Sequence, residues 1–112
     1  MKKINVLKES KDFERIIKSN KSYRGKYYYI YIERVEEQKY YKFGLSVSKK
    51  IGNAVIRNLY KRRLRSIIDK CSYINTFNAI IILKKEVLNV SYQELENSLI
   101  DDFKKLKLIR ES

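Results

Sequence analysis

Apolar positions along this chain recur with two periods, and the switches between them mark its elements. Phe13, Ile16 and Ile17 fall at helical spacing behind Ser10, a residue suited to an N-cap, which predicts a short helix over 11–18. A helix this short must dock on something else. The polar segment 19–25 leads into Lys-Tyr-Tyr-Tyr-Ile-Tyr-Ile at 26–32. Strand alternation there puts Tyr27, Tyr29 and Tyr31 on one face and Tyr28, Ile30 and Ile32 on the other, and the greasier second set is expected to face the core. The acidic, polar stretch 33–38 reads as a turn. A second strand pattern follows over 39–48, with Phe43, Leu45 and Val47 on one side and Lys42, Gly44, Ser46 and Ser48 on the other. The small residues of that second side leave room for another backbone.

Gly52-Asn53 ends this strand, and Asn53 is the expected N-cap of a helix from Ala54 to about Asp69. A step of about 100° per residue gathers Arg57, Asn58, Lys61, Arg62 and Arg65 into one polar arc. Ile56, Leu59, Tyr60 and Ile67 fall opposite, with Leu64 near the boundary. Arg63 lands toward the apolar side, where its stem must run along the core edge with its head in water. The β-branched run within 76–83 predicts a strand covered on both faces. In the last helix, Ser91 and Glu94 form a capping box and Val90 and Leu95 a hydrophobic staple. Leu95, Leu99, Phe103 and Leu106 make its buried stripe, and Glu96, Asp101, Asp102 and Lys105 are expected on its solvated face.

The order is helix, two or three strands, helix, strand, helix, an α/β (α+β) arrangement in which strand, crossover helix and strand form a βαβ unit. A right-handed crossover is the general expectation. At 112 residues the chain is expected to be a single domain, 1–112, with one core between a small sheet and its helices. No apolar run reaches the ~20 residues needed to span a bilayer, and Met1-Lys2-Lys3 is followed by no signal-peptide core. A cytoplasmic location is therefore expected.

Charge sharpens the picture. The formal net charge is +13, and from Gln38 to Ile68 there are nine Lys and Arg and no acid. Lys, Ile, Asn and Tyr abundance suggests an AT-rich coding sequence, which alone would raise lysine. Arginine argues otherwise, because four of the eight Arg fall between positions 57 and 65. Guanidinium is preferred where phosphate must be met at two points or a base stacked upon. A polyanion, RNA or DNA, is the partner this pattern implies.

The usual catalytic kit is missing. The chain has no His and one Cys, Cys71, so there is no imidazole base, no internal disulfide and no ordinary zinc set. The carboxylates are dispersed and suggest no two-metal site. What remains is a basic helix for phosphates and a tyrosine-bearing strand. Tyr27, Tyr29 and Tyr31, with Phe13, could stack the bases of a single-stranded RNA.

The segment Gly44 to Arg65, GLSVSKKIGNAVIRNLYKRRLR, resembles the signature of the protein subunit of bacterial ribonuclease P. The similarity extends to Leu7–Lys18 and to the element order, so it covers nearly the whole chain. It implies a sandwich of order αβββαβα with a left-handed crossover into the last strand, contrary to the general rule. It also implies a single RNA-binding domain that partners a catalytic RNA and precursor tRNA, with Mg²⁺ held mainly by the RNA, which itself removes the 5′ leader. This chain would then have no catalytic residue and no metal site of its own. The family's Arg-Asn-Arg falls on Arg57, Asn58 and Leu59, its next basic pair on Lys61 and Arg62, and a further cation on Arg65. Lys49, Lys50 and Asn53 complete the implied contacts to the catalytic RNA. Leu59 departs from the pattern, and Arg63 is the side chain that could replace the lost contact. The implied leader cleft holds Phe13, Ile17 and Tyr31, with Tyr27 and Tyr29 alongside; Ile17 stands where some members carry an aromatic. No membrane and no obligatory protein partner is implied.

Two other readings use the same residues. A general RNA chaperone or ribosome-associated module would bind many structured RNAs through the basic face. A DNA-binding protein would lay helix 54–69 in a major groove, but Asn58 is nearly its only base-reading side chain, and no helix-turn-helix partner precedes it.

Overall fold

The computed structural model describes residues 1–110. After a short 3-10 turn at Lys3–Asn5, the elements are α1 (Ser10–Ser19), β1 (Ser22–Arg24), β2 (Tyr28–Arg34), β3 (Lys42–Ser46), α2 (Ala54–Ile68), β4 (Phe77–Leu83) and α3 (Tyr92–Lys105), with a second 3-10 turn, Lys85–Asn89, before α3. This is the αβββαβα order. The sheet runs β1-β2-β4-β3, with β3 parallel to β4 and the other pairs antiparallel. The crossover helix α2 thus joins two neighbouring parallel strands.

The register assigns each side chain to a face. Tyr28, Ile30, Phe43, Phe77, Ala79, Ile81 and Leu83 point to one side, where Tyr60, Leu64, Ile67 and Ile68 of α2 and Leu95, Leu99 and Phe103 of α3 complete the main core. Tyr41, Phe43, Tyr73, Phe77 and Phe103 lie ring against ring within it, at centroid separations from 4.9 to 6.2 Å. On the opposite face a smaller cluster forms as Ile16 of α1 and Leu7 cover Ile80, with Phe13, Ile17, Tyr31 and Ile82 half-buried around them. The sheet is covered on both faces at β4, as its unbroken apolar run predicts.

Several expectations need correction. Ser10 is the first residue of α1 rather than its cap; Glu9 holds the cap position, its carbonyl accepting from Asp12 and Phe13 N–H. The polar segment 19–25 contains β1, whose three residues pair with Tyr29–Tyr31. The second strand is shorter than 39–48. The acidic turn begins later, because Glu33 lies in β2, where it accepts both Nε and Nη2 of Arg15 at 3.0 Å and Nδ2 of Asn78 at 2.9 Å. That fork pins α1 to the sheet. On α2, Leu64 is central to the buried face, whereas Ile56 is 38% exposed and Leu59 half-buried. The helix is tilted so that only its later turns meet the core.

The expected solvated face of α3 is also partly wrong. Asp102 is only 7% exposed because it accepts the hydroxyls of Tyr23, at 2.7 Å, and Tyr28. Glu96, equally buried, pairs with Lys70 and accepts from Gln93. Burial and the Asp102 bond push the Tyr28 hydroxyl well above its ordinary pKa, so it stays a neutral donor. The caps hold as expected: Asn53 Oδ1 accepts the Ile56 N–H and Ser91 Oγ the Glu94 N–H, each at 3.1 Å. Glu94 does not return to close the capping box, since its carboxylate takes the Tyr27 hydroxyl.

Candidate RNA interface

The cap fixes the start of α2 and the core fixes its later turns, so the direction of its cations is set by helical geometry. Arg57, Lys61 and Arg65 lie four residues apart in one row, with Asn58 and Arg62 beside it. Asn58, Arg62 and Arg65 are exposed, and Arg57 and Lys61 half-buried. Lys49 and Lys50 are exposed in the turn before the helix, next to the capping Asn53. Among the described residues, none of these cations is in an ion pair; the pairs that form engage Met1, Lys11, Arg15 and Lys70 instead. Arg57 Nε is covered and has no partner, so the packing of its stem, not a carboxylate, holds this arginine. Arg63 leaves the row and lies over the Tyr60 ring at 5.2 Å, the edge position its sequence placement implied.

A second set of side chains meets this row. Phe13 reaches across the sheet to β3, where a Cβ on Gly44 would sit 2.5 Å from Phe13 Cζ and 3.1 Å from Leu7 Cδ2. The gap on the small-residue face of β3 is therefore filled by an aromatic ring, not by a backbone. Phe13 and Leu7, with Leu45 and Phe43, line a small cavity of about 130 Å³ whose other walls include Lys61 and Arg65 of α2. The cationic row and the apolar cleft are thus one continuous surface, joined at the edge of β3.

Beyond that cavity Ile17, Tyr31 and Ile82 lie half-buried along α1, on the same face of the sheet as Phe13. Tyr29 lies beyond, on the same face of β2, with Lys84 Nζ 5.2 Å from its ring centroid. Tyr27 does not join them. It precedes β2, packs with the main core on the opposite side and donates its hydroxyl to Glu94, a bond that raises its pKa. Strand alternation assigned it to the cleft because the run of tyrosines hides where the strand starts. Gly44, Ile82, Lys84 and Leu7 are the residues that sequence reasoning left out of the site. The alternation of Ile80 and Ile82 against Ile81 was the available signal for the second.

A mixed four-stranded sheet, one helix laid across its outer face and a cation-lined crossover helix at its edge define the class as a small basic α+β protein. The chain belongs to the ribonuclease P protein family: the ribonuclease P family model matches residues 1–107. It is 40% identical to the ribonuclease P protein component of Streptococcus pneumoniae over 114 aligned positions, covering 99% of this chain and 91% of that one. The RNase P protein of Staphylococcus aureus superposes with a TM-score of 0.83 at 31% identity, over 95% of this chain and 98% of that one. The RNase P protein of Thermotoga maritima gives 0.77 at 26% identity, over 88% and 94%.

Proposed function

We propose that this chain is the protein subunit of a ribonuclease P ribonucleoprotein, acting in the cytoplasm on the 5′ leader of precursor tRNA together with a catalytic RNA. The observation that carries the reading is the junction at β3, where Lys61 and Arg65 share a cavity with Phe13 and Leu7. A surface that changes there from phosphate-binding cations to an apolar cleft suits two RNA segments held side by side. The row Arg57, Lys61, Arg65, with Asn58, Arg62 and the turn cations Lys49 and Lys50, docks the catalytic RNA by displacing its counterions. The cleft floored by Tyr31 and walled by Phe13 and Ile17 takes the single-stranded leader, with Tyr29 and Lys84 at its far end.

The chain supplies no catalytic group in this reading. Three of the protein's carboxylates are already engaged, Glu33 by Arg15, Asp102 by two tyrosines and Glu96 by Lys70. Among the described residues, no three His, Cys, Asp or Glu side chains form a group that could hold a metal ion. In this reading the Mg²⁺ implied by the family is held by the RNA. The test is reconstitution with the catalytic RNA of the same genome. The protein alone should leave precursor tRNA uncut, and added to the RNA it should lower the Mg²⁺ and substrate concentrations needed for cleavage. Cleavage without the RNA, or no effect on it, refutes the proposal; equal affinity for unrelated structured RNAs would favour a general RNA chaperone.

A further inference from the structure

The first turns of α2 expose apolar side chains on the flank of the helix between Arg62 and Arg63, beside the row of Arg57, Lys61 and Arg65 rather than within it. Val55 is 78% exposed and Ile56 38%, and Leu59 is half-buried. Val55 and Leu59 are neighbours four residues apart on the helix, and Ile56 lies on the same flank. Around them, three or four positions along the helix, stand Asn58, Arg62 and Arg63, with Lys49 and Lys50 in the preceding turn. A solvated helix face has no use for such a ridge, and single exposed apolar residues are ordinary where a contiguous group is not.

The ridge is also held in place. A Cβ on Gly52 would lie 3.0 Å from Cβ and Cγ2 of Ile56, so Ile56 sits directly on the glycine backbone. The Asn53 side chain bonds the Ile56 N–H and fixes the turn that presents it. Ile56 is therefore fixed before any partner arrives.

We propose that Val55, Ile56 and Leu59 form a seat for an unstacked nucleobase of the docked RNA, beside Arg62 and the turn cations Lys49 and Lys50 that hold its phosphates. The proposal rests on the reading of α2 as the docking face for the catalytic RNA. Charge selects the occupant. A second copy of the chain seated on this ridge by two-fold symmetry would bring Arg62, Arg63, Lys49 and Lys50 of both copies together. A polyanion is attracted by the same cations, and the apolar parts it can offer are its base faces. At Leu59 the protein therefore makes a base contact in place of a phosphate contact, which trades salt-sensitive affinity for salt-insensitive affinity.

The test uses the full chain and the catalytic RNA of the same genome, with dissociation constants measured across a series of KCl concentrations. Val55→Ser combined with Leu59→Gln should weaken binding by about tenfold, equivalent to about 1.4 kcal/mol, at every salt concentration. The slope of log K against log salt should stay that of the unmodified protein, since no phosphate contact is removed. Abasic substitution scanned along the RNA should find a position at which losing the base weakens binding of the unmodified protein and leaves the double variant unaffected. Thermal melting checks that the variant folds, which the exposure of Val55 favours. Unchanged affinity in the double variant overturns the proposal, as does a flatter salt slope, which would mean a lost phosphate contact. A self-association lost in the variant, without change in RNA affinity, would assign the ridge to a second copy and equally overturn it. If the unmodified protein does not bind the RNA, the functional reading beneath it fails instead.

Discussion

Gly44→Ala tests whether the cleft is built as described, because one added methyl meets one identifiable ring. The new Cβ would lie 2.5 and 2.9 Å from Phe13 Cζ and Cε2 and 3.1 Å from Leu7 Cδ2. Carbon atoms in contact prefer about 3.5–4.0 Å, so the ring must retreat by roughly 1 Å. The whole of α1 resists moving with it, since Ile16 is fully buried and Arg15 is bonded to Glu33 of β2 at two points. Phe13 must therefore turn about its own torsions into the cleft. Overpacking of this kind costs about 1–3 kcal/mol, and the free end of a half-buried ring places this case near the lower limit. A loss of about 1 kcal/mol lowers the melting temperature of a domain this size by about 4–8 °C, although glycine to alanine in a strand is otherwise neutral or favourable. Function should suffer separately, as a displaced ring forfeits part of a stacking contact of about 1–3 kcal/mol. Two measurements decide the matter. Unfolding of Gly44→Ala should be nearly costless in a Phe13→Ala background, and binding should fall for precursor tRNA carrying a leader but not for mature tRNA. An equal stability cost in both backgrounds, or an equal loss on both RNAs, would falsify the steric account of the cleft.

Arg57→Ala and Lys61→Ala should each weaken binding of the catalytic RNA and lower the salt slope by about 0.9, measured by titration over a range of KCl; weaker binding at an unchanged slope would mean that only stem packing was lost. Glu33→Gln should destabilise the protein at neutral pH by weakening the fork from Arg15. Those hydrogen bonds hold the Glu33 carboxyl below its ordinary pKa, so its contribution is present above the ordinary carboxylate range and is lost as pH falls through the lowered folded value. Urea unfolding from neutral to acid pH should show the unmodified protein converging on the variant as pH falls below the ordinary carboxylate range, and parallel acid limbs would remove this pair from the account.

The elements with their own end signals were legible in the sequence. Asn53 and Ser91 cap α2 and α3 where local pattern placed them, and the apolar run of β4 left little choice for its burial. What was illegible depends on residues far along the chain. β1 is three residues with no apolar alternation, and only its pairing with Tyr29–Tyr31 makes it a strand. Asp102 and Glu96 read as solvated because their burial is licensed by Tyr23, Tyr28 and Lys70, which are 79, 74 and 26 positions away. The cationic row of α2 was readable because helical geometry and charge suffice to define it. The cleft was half readable: Phe13, Ile17, Tyr29 and Tyr31 share its face of the sheet, Tyr27 does not, and Gly44 enters only when the ring above it is known.

The edge of β3 explains why cleft and cations meet at all. The strand order leaves β3 at one side of the sheet, and an unprotected edge invites pairing with another chain. Val6 covers this edge as a parallel bridge to Phe43, and the Leu7 N–H donates to the Phe43 carbonyl at 2.9 Å. That contact carries Leu7 onto Ile80 and against the position of Phe13 above Gly44, which closes one wall of the cleft. Because β3 and β4 are adjacent and parallel, α2 must leave the end of β3 and return beside it, so Lys61 and Arg65 come down next to the same edge. One segment therefore serves both ends: the residues that blunt a sheet edge also bring an apolar groove within reach of a phosphate surface. A chain with this topology but a free β3 edge would keep its basic helix and lose the wall that turns a charged face into a cleft.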